Sequence, residues 1–194
     1  MLKGILILIS ILVLFFAFPT MNPGQEGNPK VLIKTTKGDI TVELYPDKAP
    51  LSIQNFLSYV DEKFYDGTIF HRVIKGFMIQ AGGFSTNLIE KPGKPPIKNE
   101  AGNGLKNKRG TIAMGRTPEI HSATCHFYIN HVDNPGLDHR NNTTGGFGYA
   151  VFGKVIKGMD VVDAIANAKT MVKGDDENVP RETITIISIR RIQE

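Results

Sequence analysis

The chain has 194 residues, 41% of them hydrophobic and 22% charged, a globular composition at the length of one ordinary domain. Its formal net charge of +4 is spread without a basic run, which excludes the electrostatic footprint of nucleic-acid binding. Cys125 is the only cysteine, so no intramolecular disulfide can form and the domain must stand on its core.

In chain order, Met1 to Lys3 make a short positive start, and Gly4 to Phe18 form an apolar run interrupted only by Ser10. This is the pattern of a secretory signal. The run is about 15 residues, short of the ~20 that a membrane-spanning helix needs, and no clean small-x-small cleavage site follows it. Residues 1–21 therefore read as a signal peptide or an uncleaved membrane anchor, and both readings stay open. Residues 22–29, rich in proline, glycine and polar side chains, read as a flexible linker.

Val31–Thr36 and Ile40–Tyr45 flank Lys37-Gly38-Asp39 at the spacing of a β-hairpin. After Pro46 the apolar period changes. Ile53, Phe56, Leu57 and Val60 fall at i, i+3, i+4 and i+7, the stripe of a helix starting near Pro50. From Thr68 to Phe152 short β-rich runs alternate with Gly, Pro and Asn clusters, including a long polar loop from Lys91 to Lys108. A second helix is predicted over Asp160–Ala168. A last strand follows over Thr183–Ile192, where the adjacent apolar residues Ile186 and Ile187 break the alternation and suggest a β-bulge. The fold class is mainly β with two helices.

Phe70-His-Arg-Val-Ile-Lys-Gly-Phe-Met-Ile-Gln-Ala-Gly-Gly83 closely resembles the signature of the cyclophilin-type peptidyl-prolyl cis-trans isomerases. Gly110–Arg116, Ser122–Asn130, Leu137-Asp138 and Gly148–Lys154 continue the resemblance in the family's order, so that it covers residues 30–194. It implies a closed eight-stranded antiparallel barrel capped by two helices. It also implies an enzyme that accelerates rotation about X-Pro bonds in proline-containing peptides and in folding exported proteins. The exported form would be periplasmic, soluble or tethered to the inner membrane, and monomeric. No metal or organic cofactor is implied.

The chemistry suits such a site. Rotation must remove the C–N double-bond character against a barrier of about 18–20 kcal/mol, leaving a pyramidal proline nitrogen with a lone pair. No bond is broken, so neither nucleophile nor general base is needed. The resemblance assigns the catalytic donor to Arg72, whose residue type offers several N–H groups in a fixed fork. It assigns Gln80 to gripping the substrate backbone. Phe77, Met78, Tyr128, Leu137 and Tyr149 match positions around the proline pocket, although each taken singly reads as barrel core. At Gly115 and Arg116 the family binds peptide through the main chain, so the Arg116 side chain is expected to matter less than its backbone.

Four positions depart from the family. Gly136 stands where an aromatic precedes the matched leucine, Tyr128 where phenylalanine is usual, Tyr149 where many members have histidine, and His126 where glutamine is usual. The lost wall at Gly136 puts cyclosporin binding in doubt and motivates the rival reading, a proline-peptide-binding chaperone module with little turnover. His121, Cys125, His126 and His131 invite a metal reading, but the odd spacings 121–126 and 126–131 send successive histidines to opposite faces of a regular strand. The overlapping glycosylation sequons at Asn141-Asn142-Thr143-Thr144 read more simply as a polar turn.

Overall fold

The computed structural model describes residues 27–192. The expected export segment and most of the linker lie outside the described residues.

The predicted hairpin is present as β1 (Lys30–Thr35) and β2 (Gly38–Leu44), with Thr35 opposite Gly38 across a two-residue turn. Alternation decides which face is buried: Val31, Ile33, Ile40, Val42 and Leu44 are fully enclosed, while their neighbours face outward. Helix α1 (Pro50–Asp61) begins with proline, whose fixed φ and missing N–H suit a first turn. Its free amides are satisfied from a distance. Leu51 N donates to one Glu100 carboxylate oxygen at 3.0 Å, and Ser52 N and Oγ donate to the other at 2.8 and 2.7 Å.

Strands β3 (Thr68–Ile74), β4 (Met78–Ser85), β5 (Thr111–Met114), β6 (Phe127–Asn130) and β7 (Val151–Lys157) follow, with a 3-10 turn at Pro135–Leu137 before β7. Helix α2 spans Met159–Ala166, ending two residues earlier than expected, where Asn167 N closes on Asp163 O. The hairpin β8 (Thr170–Lys173) and β9 (Asp176–Pro180) was not anticipated: its charged, mostly exposed residues carry no period-2 signal. Strand β10 covers Ile186–Ile192 only. The bulge is where the alternation slips: Thr35 pairs with Ile186 and Lys34 with Ser188, leaving Ile187 unpaired and 55% exposed.

Eight of the strands make one antiparallel sheet in the order β10-β1-β2-β7-β5-β6-β4-β3, and β8 and β9 pair only with each other. The expected closed barrel is corrected to a curled, open half-barrel. The edge strands β3 and β10 share no continuous ladder and meet at a single bridge, Ile69–Thr185, flanked by Gly67 N to Ile186 O and Phe70 N to Ile184 O bonds. The reason lies in β3, which shifts register against β4 twice, between Thr68 and Phe70 and between Phe70 and Arg72, and so bends away from an even edge.

The concave face holds the main core. Phe56 of α1 packs on Tyr65, Phe127 and Phe152 at ring separations of 5.4, 5.6 and 5.2 Å, and Val162 and Ile165 of α2 add to the same cluster. A second, smaller apolar cluster lies outside this core. It is built on Met78, Ala113, Tyr128 and Val151.

Candidate active site

That second cluster gathers the candidate site residues. Residues opposite one another in a sheet share a face, and the register gives one row of partners across four strands: Arg72 with Gln80, Gln80 with Tyr128, Tyr128 with Ala113. Two residues along, Ile74, Met78 and Asn130 form the adjoining row. The intervening Val73, Ile79, Ile129 and Ile112 point into the main core. His71 is the extra residue of the bulge between Phe70 and Arg72, and this one-residue slip brings Arg72 onto the outer face.

Phe77, Leu137 and Tyr149 are half-buried around the cluster, whereas Met78 and Tyr128 lie beneath it at 2% and 4% exposure. All five expected pocket residues are thus brought together. Phe77 is presented by the tight β3–β4 turn, where Gly76 adopts φ 75° and Phe77 N bonds to Ile74 O at 3.0 Å. Tyr128 and Tyr149 meet edge to face at 5.9 Å. Burial holds the Tyr128 phenol well above the usual tyrosine range, with Tyr149 and Asp138 nearby adding to the effect, so it stays a neutral donor.

The Arg72 side chain makes no hydrogen bond or ion pair among the described residues. A half-buried guanidinium with no anionic partner is uncommon in a structural role. Gln80 stands beside it, and no hydrogen bond joins the two side chains. At Gly115 a Cβ would come within 3.0 Å of His126 Cβ and 3.3 Å of Gln80 Nε2, so the glycine leaves room for the Gln80 amide.

The Arg116 side chain, expected to matter less than its backbone, is itself engaged. Its guanidinium donates to the carbonyls of Gly148, Thr117 and Pro118 at 3.1, 2.9 and 3.1 Å, and lies 4.6 Å from the Tyr149 ring centroid. The side chain staples two loops and supports the pocket's tyrosine.

The remaining signals separate. His121 Nδ1 accepts from Asn99 N at 3.1 Å, His126 Nε2 meets Glu90 at 3.0 Å, and His131 lies between Gly76 N and Asp163. No group of three metal-ligating side chains occurs among the described residues. Cys125 is buried and its thiol is pushed up by desolvation, the reverse of a reactive thiolate. Asn141 Oδ1 accepts from Thr143 N and Oγ1 at 3.1 and 2.6 Å, a polar Asx turn.

Next to Arg72, burial, with the charges of His126 and Arg72, lowers the pKa of His71 to about 3. A depressed histidine pKa means that the folded state excludes the proton. Its contribution to stability is complete above the unfolded value of about 6.5 and is lost as pH falls from there toward 3. Replacing His71 with Phe is expected to remove an acid loss of about 3 kcal/mol, read from urea unfolding between pH 7 and pH 4. Parallel pH curves for the two proteins would refute it.

Sequence reasoning missed the polar residues that hold this face: Asn107, Asn130 and Asn134, buried at 2%, 0% and 9%. Only Asn130, closing the apolar run Phe127-Tyr-Ile, carried a visible signal.

Comparison with known proteins agrees with this geometry. The family model "Cyclophilin type peptidyl-prolyl cis-trans isomerase/CLD" matches residues 30–191. The chain belongs to the cyclophilins. It is 57% identical over 164 residues to a peptidyl-prolyl cis-trans isomerase of Acinetobacter baylyi, covering 84% of this chain and 86% of that one. It is 52% identical over 159 residues to peptidyl-prolyl cis-trans isomerase B of Escherichia coli, covering 82% and 97%. A solved cyclophilin-type isomerase of Cryptosporidium parvum, crystallised in the presence of the dipeptide Ala-Pro, superimposes with a TM-score of 0.70 at 27% identity, over 85% of this chain and 99% of that one. This cyclophilin is a peptidyl-prolyl cis-trans isomerase.

Proposed function

We propose that this isomerase works by electrostatic stabilisation of the twisted amide, with Arg72 as the donor to the proline nitrogen and Gln80 holding the substrate backbone. The proline ring would rest against Phe77, Leu137 and Tyr149, over Met78 and Tyr128, and the peptide backbone would lie along Gly115 and Arg116. The observation that carries this reading is a guanidinium with no hydrogen-bond or ion-pair partner among the described residues, sharing a sheet face with the smaller apolar cluster. Bringing a process of tens of seconds to milliseconds takes ~10⁴-fold, or about 5.5 kcal/mol. A preorganised charged donor in a partly desolvated site supplies effects of that order. A protease-coupled proline-peptide assay tests it: turnover with short X-Pro peptides supports it, and binding without turnover would favour the chaperone reading.

Gly136 sharpens the expected drug response. A Cβ there would meet nothing within 4 Å, so a side chain can start from this position without a clash. Gly136→Trp is expected to raise cyclosporin affinity about 10- to 100-fold, the worth of one buried aromatic, while changing turnover less. Calorimetric titration of both proteins measures this, and unchanged affinity would contradict it. We further propose that the chain acts on exported proteins, as a monomer. The positive start and apolar run of residues 1–21 support export, and sizing the protein in cell fractions would separate a cleaved periplasmic form from a tethered one.

A further inference from the structure

We propose that Asn107 is a positioning residue for the proline pocket, tying the Tyr128 phenol beneath it to the Leu137 turn that walls it. The inference rests on the pocket assignment above.

Asn107 lies in the loop before β5 and is 2% exposed. Its side-chain oxygen accepts from Tyr128 Oη at 2.8 Å and from Asn130 Nδ2 at 3.2 Å. Its Nδ2 donates to the Leu137 carbonyl at 3.1 Å and to Asp138 Oδ1 at 3.2 Å. An amide has two acceptor sites and two donors, and here all four are used. No other small side chain matches this. Aspartate would offer no donor to the Leu137 carbonyl and would oppose Asp138, while leucine would offer nothing to either side.

The main chain reinforces the tie: Asn107 N donates to Asp138 Oδ1 at 2.7 Å, and Asn134 N donates to Asn107 O at 2.8 Å. Asn134 Nδ2 then bonds Asn130 Oδ1 at 2.7 Å and the Phe77 carbonyl at 2.9 Å. One network therefore reaches Tyr128, Leu137 and Phe77.

The turn has need of it. The 3-10 segment Pro135–Leu137 buries no residue fully, and Gly136 adds no side chain to anchor it. Polar bonds to Leu137 and Asp138 take the place of that packing. The tyrosine at position 128 fits the same scheme, because phenylalanine would have nothing to give the Asn107 oxygen.

The test is a set of three variants, Asn107→Leu, Tyr128→Phe and the double variant, with KM and kcat for a proline peptide and the thermal midpoint read for each. Asn107→Leu is expected to lower the midpoint, because the buried phenol is orphaned, and to raise KM about tenfold while kcat changes less than about threefold. In the double variant no phenol remains to be satisfied, so stability returns toward wild type while KM stays raised, since the bond to Leu137 is still missing. KM returning to the wild-type value together with stability would overturn the proposal, leaving Asn107 a purely structural residue. If Asn107→Leu does not fold, the double variant carries the comparison. Arg72→Ala serves as control: intact turnover in that variant would instead overturn the pocket assignment.

Discussion

Arg72→Ala is expected to lower kcat by about 10²- to 10³-fold, the usual cost of deleting one preorganised donor from a site that stabilises developing charge or a lone pair. KM should move far less, because the apolar cluster of Met78, Ala113, Tyr128 and Val151 and its rim of Phe77, Leu137 and Tyr149 stay intact. The protein should keep its stability, because the Arg72 side chain makes no hydrogen bond or ion pair among the described residues. Arg72→Lys separates charge from geometry. An ammonium keeps the charge and loses the planar fork, so a partial recovery of no more than about tenfold over alanine is expected. Full recovery would mean that charge alone suffices. Equal rates for arginine and alanine would remove Arg72 from the mechanism.

Gly148→Ala carries the second large effect, this time on the fold around the pocket. Gly148 adopts φ 76°, and a Cβ would lie 2.6 Å from both Asp138 C and His139 N and 2.7 Å from Leu137 O. These are backbone atoms that cannot rotate away. The left-handed conformation costs about 1–2 kcal/mol for a residue with a Cβ, and overpacking adds roughly 1–3. A loss of about 2–5 kcal/mol is therefore expected, read as a lower urea midpoint at unchanged slope. Relief by backbone movement would also disturb the site, since Gly148 O accepts from Asn99 Nδ2 and Arg116 Nε at 3.1 Å each and Tyr149 N bonds Leu137 O at 3.0 Å. Gly136→Ala in the neighbouring turn meets no atoms and should stay within about 0.5 kcal/mol of wild type. Similar midpoints for the two alanine variants would contradict this account of the close approach.

Much of the architecture was legible because its signals are local. The β1–β2 hairpin, the stripe of α1 and the slipped alternation at Ile186–Ile187 each lie within a few residues. The site residues were legible through a motif and not through periodicity: plain alternation from the buried Phe70 would put Arg72 on the inner face, and the bulge at His71 turns it outward. What stayed hidden depends on distant pairing. Closure of the sheet turns on how β3 meets β10, strands from the two ends of the sheet order, and the irregular edge of β3 leaves them joined by one bridge. The four bonds of Asn107 join loops and strands far apart in the chain, and an asparagine in a polar loop looks no different from a solvated one. The contacts of the Arg116 side chain stayed hidden for the same reason, since Gly148 and Thr144 approach it only in the fold.

Exchange spectroscopy by NMR on a short Ala-Pro peptide, with catalytic amounts of wild-type or Arg72→Ala protein, tests the mechanism most directly, because it sees binding and isomerisation together without a coupling protease. Wild type should drive cis–trans exchange on the millisecond timescale, while Arg72→Ala should still bind the peptide, shown by line broadening or shift changes, and exchange the two isomers about 10²- to 10³-fold more slowly. Exchange at the wild-type rate in Arg72→Ala would contradict the assignment of the donor.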